Sequence, residues 1–287
     1  MNIKSERKFK LMLPDTRILS WYESGSEEGE PVVFFTGAGM SGLLSVDDKV
    51  LLEKNIRFII PNRPGLSDST FDPNKSLASF SHDILFLLNY LDIKKVSVLS
   101  FSQGAVFAMA FCFYYHDYVK NLAIISGQDQ FSYLKTKEQL ISDVVNMQQQ
   151  ANSNPKILSE WISKNITAEW LIDFILKYSN RVDLAIYQSS NFLPIYQSCM
   201  ADAFKQGNAG YTQDLLMTMQ PWGFSPENIL TPTQLWYGLK DTSTVHSPDF
   251  GELLSQRFPN AKRYTYPDEG GALLWTKTHE ILSKIIS

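Results

Sequence analysis

Five residues around position 102 have the types and spacing that expose a nucleophile. In Ser100-Phe101-Ser102-Gln103-Gly104 the central serine is flanked, two positions away on each side, by a small residue. Val96, Val98 and Leu99 precede it as a strand-like apolar run, and an apolar helical pattern follows to about Tyr115. Strand, sharp turn and helix in that order strain the backbone at the middle residue and leave no room for bulk beside it. Ser102 would then stand at the carboxyl end of a strand with a helix N-terminus aimed at it, the setting of an activated hydroxyl. A buried strand running into a core helix with an incidental serine would leave the same local pattern, so the rest of the chain has to decide.

The chain has 287 residues, enough for one large α/β domain or a domain with a sizeable insertion. Hydrophobic residues make up 44% and charged residues 20%, and 26 Lys and Arg against 30 Asp and Glu leave a net charge of −4, which favours neither nucleic acid nor an anionic membrane. The start, MNIKSERKFK, lacks the apolar core of a signal peptide, and no apolar run is long enough to span a bilayer. Cys112 and Cys199 read as reduced thiols of a cytoplasmic protein, so the sequon Asn165-Ile166-Thr167 carries little weight. Histidines and cysteines are scattered without ligand spacing, so neither a metal nor a cofactor is expected.

The elements that must position Ser102 can be read in order. Two short strands within residues 7–24, split by Pro14-Asp15, suggest an antiparallel pair at a sheet edge. Val32 to Phe35 form a buried strand, followed by the small-residue loop Gly37-Ala38-Gly39, whose backbone N–H groups can approach a ligand. Another strand begins at Ile56 and ends in the turn Asn62-Arg63-Pro64-Gly65, and helical spacing of Leu77, Phe80, Ile84, Leu87, Leu88 and Leu91 predicts a helix over 76–91. A strand over 119–127 follows the helix after Ser102, and the pattern resumes with a strand at 231–238, a helix from about Ser247, a strand at 262–267 and a last helix from about Ala272. Such alternation argues for a mostly parallel sheet with helices on both faces. Residues 128–226 break it with helix-like, aromatic-rich sequence that includes Trp161, Trp170, Phe174, Tyr178, Tyr187, Phe192 and Tyr196. We read them as an inserted helical cap on a core of residues 1–127 and 227–287, with the aromatics packing between small helices.

In this order the chain resembles the α/β-hydrolase superfamily, specifically its capped branch of proline-iminopeptidase-like, haloperoxidase-like and esterase-like members. Ser100 to Gly104 match the nucleophile elbow, Thr36 to Gly39 the loop after the third strand, and Asn62 to Ser67 the Asp-Arg-x-Gly-x-Gly-x-Ser turn. Tyr237 to Asp241 match the strand end that carries the acid, and Tyr266 to Gly271 the loop that carries the histidine. The resemblance implies the α/β-hydrolase fold, Ser102 as nucleophile, Asp241 as the acid, and the backbone N–H groups of Ala38 and Gln103 as oxyanion donors.

One departure stands out. Where the family pattern reads Glu-Gly-His, this chain reads Glu269-Gly270-Gly271, so the position expected to carry the general base holds glycine. His82, His116 and His279 read as solvated or packed residues, and His246, shortly after Asp241, is the one histidine near the site. The expectation is therefore a serine hydrolase framework for a small ester or amide, impaired by an incomplete triad. The alternative is a non-catalytic pseudo-hydrolase that binds a small molecule in an aromatic-lined pocket.

Overall fold

The computed structural model describes residues 2–5 and 7–286. The chain runs through β1 (Arg7–Met12), β2 (Ile18–Gly25), β3 (Glu30–Phe35), α1 (Asp48–Glu53), β4 (Ile56–Pro61), α2 (Leu77–Tyr90), β5 (Val96–Phe101), α3 (Gly104–Tyr114) and β6 (Val119–Ile125). Seven helices come next: α4 (Leu134–Lys137), α5 (Ser142–Ser153), α6 (Pro155–Asn165), α7 (Ala168–Tyr178), α8 (Arg181–Tyr187), α9 (Leu193–Phe204) and α10 (Ala209–Met219). The alternation then resumes with β7 (Thr233–Gly238), α11 (Glu252–Arg257), β8 (Ala261–Tyr266), α12 (Leu273–Thr276) and α13 (Thr278–Ile285).

The strands form one sheet in the order β1-β2-β4-β3-β5-β6-β7-β8. β1 with β2 and β2 with β4 pair antiparallel, and every later neighbour pair is parallel. This is the α/β-hydrolase fold expected from the sequence, with the antiparallel pair at one edge. Alternate residues of a strand face opposite sides, and both sides are buried: Val32 and Phe34 of β3 join one apolar layer, Val33 and Phe35 the other. α3 is buried from Gly104 to Cys112, which explains its lack of a polar face. Each large apolar side chain so enclosed contributes about 1.5–3 kcal/mol.

Two element boundaries differ from the expected ones for local reasons. Residues 247–251 form a hydrogen-bonded loop before α11, with Gly251 in the left-handed region at φ 74°. The last helix is two, broken at Lys277, whose φ of −118° is not helical. Strand β4 ends at Pro61, directly before the Asn62 turn, as expected. Among the described residues no helix is long and apolar enough to cross a membrane.

From β3 the chain crosses to β4 on one side and returns to β5 on the other, so the connections diverge between β3 and β5. Their carboxyl ends lie side by side there, and open α/β sheets form their binding crevices at such a point. The helices α5 to α10 pack over this end, and Leu158, Ile162, Leu171, Tyr196 and Tyr211 share a core layer with Phe34, Leu99 and Phe101.

Candidate active site

Ser102 has φ 52°, a left-handed conformation that few residues other than glycine adopt. The turn is held by the bonds from Ser102 N–H to the Ile125 carbonyl (3.1 Å) and from Gln128 N–H to the Ser102 carbonyl (3.1 Å). Gly104 is small because a β-carbon there would sit 2.1 Å from the Phe35 carbonyl oxygen, so the end of β5 can dock on the end of β3. The same approach brings the Gly37-Ala38-Gly39 loop to the serine, and Ala38, Ser102 and Gln103 line one cavity.

That loop is fixed from behind by Arg63. Its guanidinium donates to the carbonyls of Thr36 (2.7 Å) and Gly37 (2.8 Å) and pairs with Asp214 of α10 at 2.7 Å. The second oxygen of Asp214 meets Lys75 at 2.7 Å, and Lys75 also donates to the carbonyls of Pro64 and Gly210. All three charged side chains are essentially inaccessible to water. A buried charge set is tolerable only when each member is paired, and this one ties the β3 and β4 loops to the inserted helices.

The loop after β7 carries Asp241 and His246. His246 Nδ1 lies 2.6 Å from Asp241 Oδ2, and its Nε2 lies 2.8 Å from Ser102 Oγ. A carboxylate only accepts, so Nδ1 carries the proton and Nε2 offers its lone pair to the serine hydroxyl. The other oxygen of Asp241 accepts from Ser243 N–H at 2.9 Å. Ser247 N–H bonded to the Gly127 carbonyl (2.9 Å) and Phe101 edge-on to the imidazole hold the base end of the loop. Asn180 donating to the Lys240 carbonyl and Thr242 donating to the Tyr178 carbonyl tie the acid end to the inserted helices.

This geometry corrects the expectation of a vacant base position. Ser102 and Asp241 do face one another, but the imidazole of His246 bridges them. Nor does Gly271 leave a gap: a β-carbon there would lie 2.8 Å from Asp241 Oδ1. The N–H groups of Gly271 and Ala272 donate instead to the Asp183 carboxylate of α8, both at 2.8 Å. Burial pushes the Asp183 carboxyl above its ordinary value, the two N–H donors oppose that shift, and the charge of Asp241 adds to it. The expected impairment and the pseudo-hydrolase alternative both drew on the vacancy, and that motive falls away. His82 beside the Tyr115 hydroxyl, His116 beside Asp117 and His279 near Glu53 are exposed and distant from the serine.

Sequence reasoning placed His246 near the site but looked for the base at residue 271, and it missed Asp183 and the Arg63–Asp214–Lys75 set. The signal for His246 was an acid and a histidine five positions apart after a strand.

The cavity over Ser102 measures about 370 Å³. The aromatic residues of the insertion divide in two. Tyr187, Phe192 and Tyr196 are buried and pack around Trp275 and one another, as expected. Trp161, Trp170, Phe174 and Tyr178 are less buried; they line the cavity together with Tyr187 and Tyr196, and Trp161 and Tyr178 remain about half exposed (50% and 46%) at its rim.

The class that this sheet order and site define agrees with the comparisons. The α/β hydrolase fold family model matches residues 30–278, and the chain belongs to that family. It is similar to a protein named "Uncharacterized hydrolase YcgS" of Bacillus subtilis, with 27% identity over 100 residues, a match spanning 35% of each chain. Among solved structures it is similar to a hydrolase from Pseudomonas aeruginosa PA01, with TM-score 0.71, 14% identity and 98% of each chain covered. The esterase EaEST from Exiguobacterium antarcticum superposes with TM-score 0.66 at 16% identity over 97% of this chain and 99% of its own. At these identities the structural matches speak to the fold.

Proposed function

We propose that the chain is a serine hydrolase of carboxylic esters or amides, working through a Ser102–His246–Asp241 triad, with residues 128–226 acting as a cap over the site. The observation that carries the reading is the imidazole of His246 in hydrogen-bond contact with both Ser102 Oγ (2.8 Å) and Asp241 Oδ2 (2.6 Å). Family membership and the likeness to an esterase support it.

In the proposed reaction Ser102 Oγ attacks the substrate carbonyl carbon as His246 Nε2 takes the hydroxyl proton. Asp241 holds the imidazole in the tautomer that can accept it and stabilises the imidazolium that forms. The carbonyl oxygen becomes an oxyanion held by the N–H groups of Ala38 and Gln103, with Arg63 anchoring the Gly37 carbonyl of the first donor's own peptide and the Thr36 carbonyl before it. Collapse breaks the bond to the alcohol or amine, which leaves with the proton from His246. Water, deprotonated by the same imidazole, then cleaves the acyl-serine and restores the hydroxyl.

The test is turnover of p-nitrophenyl butyrate together with labelling by a fluorophosphonate. Hydrolysis, with the phosphonyl group mapped to Ser102 and both signals lost in Ser102→Ala, is the expected result. A properly folded chain that neither turns over nor labels would overturn the proposal.

A further inference from the structure

Resting on that reading, we infer that the site selects uncharged esters whose non-reacting part is apolar, and rejects substrates bearing a second, ionised carboxylate. The inference comes from what surrounds the serine. Trp170, Phe174 and Tyr178 recur every four residues on α7, so their side chains share one face. The first two rings stack at 5.1 Å and the second pair meets at 4.7 Å, forming a continuous aromatic wall. Trp161 of α6 lines the same cavity, as do Leu158, Ile162, Leu171, Ile175 and Leu215.

The charged groups are all of one sign. Asp143 lies exposed at the mouth, Asp183 is buried in the wall and Asp241 sits behind His246. Among the described residues that line the cavity none is lysine or arginine. Of the cations on neighbouring segments, Arg63 and Lys75 pair with Asp214, Lys240 pairs with Asp268, and the Lys177 ammonium lies over the Tyr178 ring, 5.4 Å from its centre.

A substrate carboxylate entering this cavity loses its hydration, finds no lysine or arginine in the lining to replace it and meets only other carboxyl groups. The imidazolium that forms during attack is neutralised by Asp241 and not by the substrate. The upward push on the Asp183 carboxyl, from burial first and from the Asp241 charge as well, points the same way, toward an environment that already disfavours negative charge. Specificity of this kind works by penalising the wrong ligand and needs no added contact to the right one.

The experiment compares p-nitrophenyl adipate, ionised at its free end, with its neutral methyl ester, which has the same chain and the same reacting group. Each kcat/KM is normalised to the uncatalysed rate. The neutral ester should be favoured at least about tenfold, since each tenfold step corresponds to about 1.4 kcal/mol of discrimination. Trp170→Arg, at a rim position that is 38% exposed, should shrink the ratio by supplying a cation at the mouth. Hydrolysis of both esters with a ratio below tenfold overturns this inference and leaves the hydrolase reading standing. No hydrolysis of either, with Ser102 also unlabelled by a fluorophosphonate, removes the hydrolase reading and this inference with it. If Trp170→Arg fails to fold, the wild-type ratio alone decides.

Discussion

The turn after β5 and the loop after β7 each deliver part of the site, by opposite means. The first is fixed over a few residues by strain and close approach: Ser102 at φ 52°, with the next helix starting at a glycine wedged against the Phe35 carbonyl. The second has no regular structure between Gly238 and Glu252, and its shape is set by distant partners at Asn180, Tyr178, Gly127 and Glu269. A locally strained turn announces itself in a short window of sequence. A loop held by tertiary contacts does not, because the residues that hold it lie tens of positions away.

Breaking the loop side at its reacting end gives the largest effect. His246→Ala should lower turnover by about 10⁴- to 10⁶-fold, measured as kcat on p-nitrophenyl butyrate, with the thermal midpoint shifted by only a few degrees. Retained activity would mean that the base lies elsewhere.

The elbow side is tested by Gly104→Ala. The added methyl meets backbone oxygen at 2.1 Å and 2.6 Å, which no rotamer relieves, so β5 and β3 must move apart. The expected cost is about 3 kcal/mol or more in urea unfolding, together with loss of activity from the displaced oxyanion loop.

Gly271→His sharpens the comparison, because the family pattern suggests that it should help. The new β-carbon would press on the Asp241 carboxylate and disturb its bond to His246, so kcat should fall about 10²-fold. A rise in kcat would restore the vacant-base reading.

Asp129, behind the loop near Tyr237 and Asp249, gives the smallest effect and a pH signature. Burial, opposed by the Gln130 N–H and by Arg257, raises its carboxyl from 3.8 to about 6. A raised carboxyl pKa favours the protonated form in the folded state, so ionisation imposes no cost below pH 3.8, a growing one between 3.8 and about 6, and its full cost above. Asp129→Asn removes that cost but weakens the bond to Gln130, leaving a gain of about 1–2 kcal/mol at pH 7. Denaturation midpoints should show the gain at pH 7 and its disappearance by pH 4.

Legibility followed the same division. Strand β5, helix α2 and the parallel alternation could be read because each rests on apolar periodicity within a dozen or so residues. Ser102, Asp241 and the small loop at Ala38 could be singled out because each sits next to a strand end. His246 carries one weak local mark, its place five positions after Asp241: its neighbours Thr244, Val245 and Ser247 fit any loop, and its meeting with Ser102 spans 144 positions. The glycine pair at 270–271 drew attention to the wrong place. Its smallness serves Asp183 and Asp241, which crowd the backbone there, and nothing near it in sequence says so. The aromatic residues of the insertion were ambiguous for a related reason, since helical spacing defines a face without saying whether that face meets another helix or an opening.

In the proposed triad, acid and base lie five positions apart on one loop, so their mutual placement is set within a single short segment. On that reading, everything from Ser247 onward contributes support and no reacting side chain. A chimera that takes its final strand and helices from a relative would keep all three working side chains. In a relative whose imidazole follows the last strand, the same exchange would have to import the base along with the scaffold.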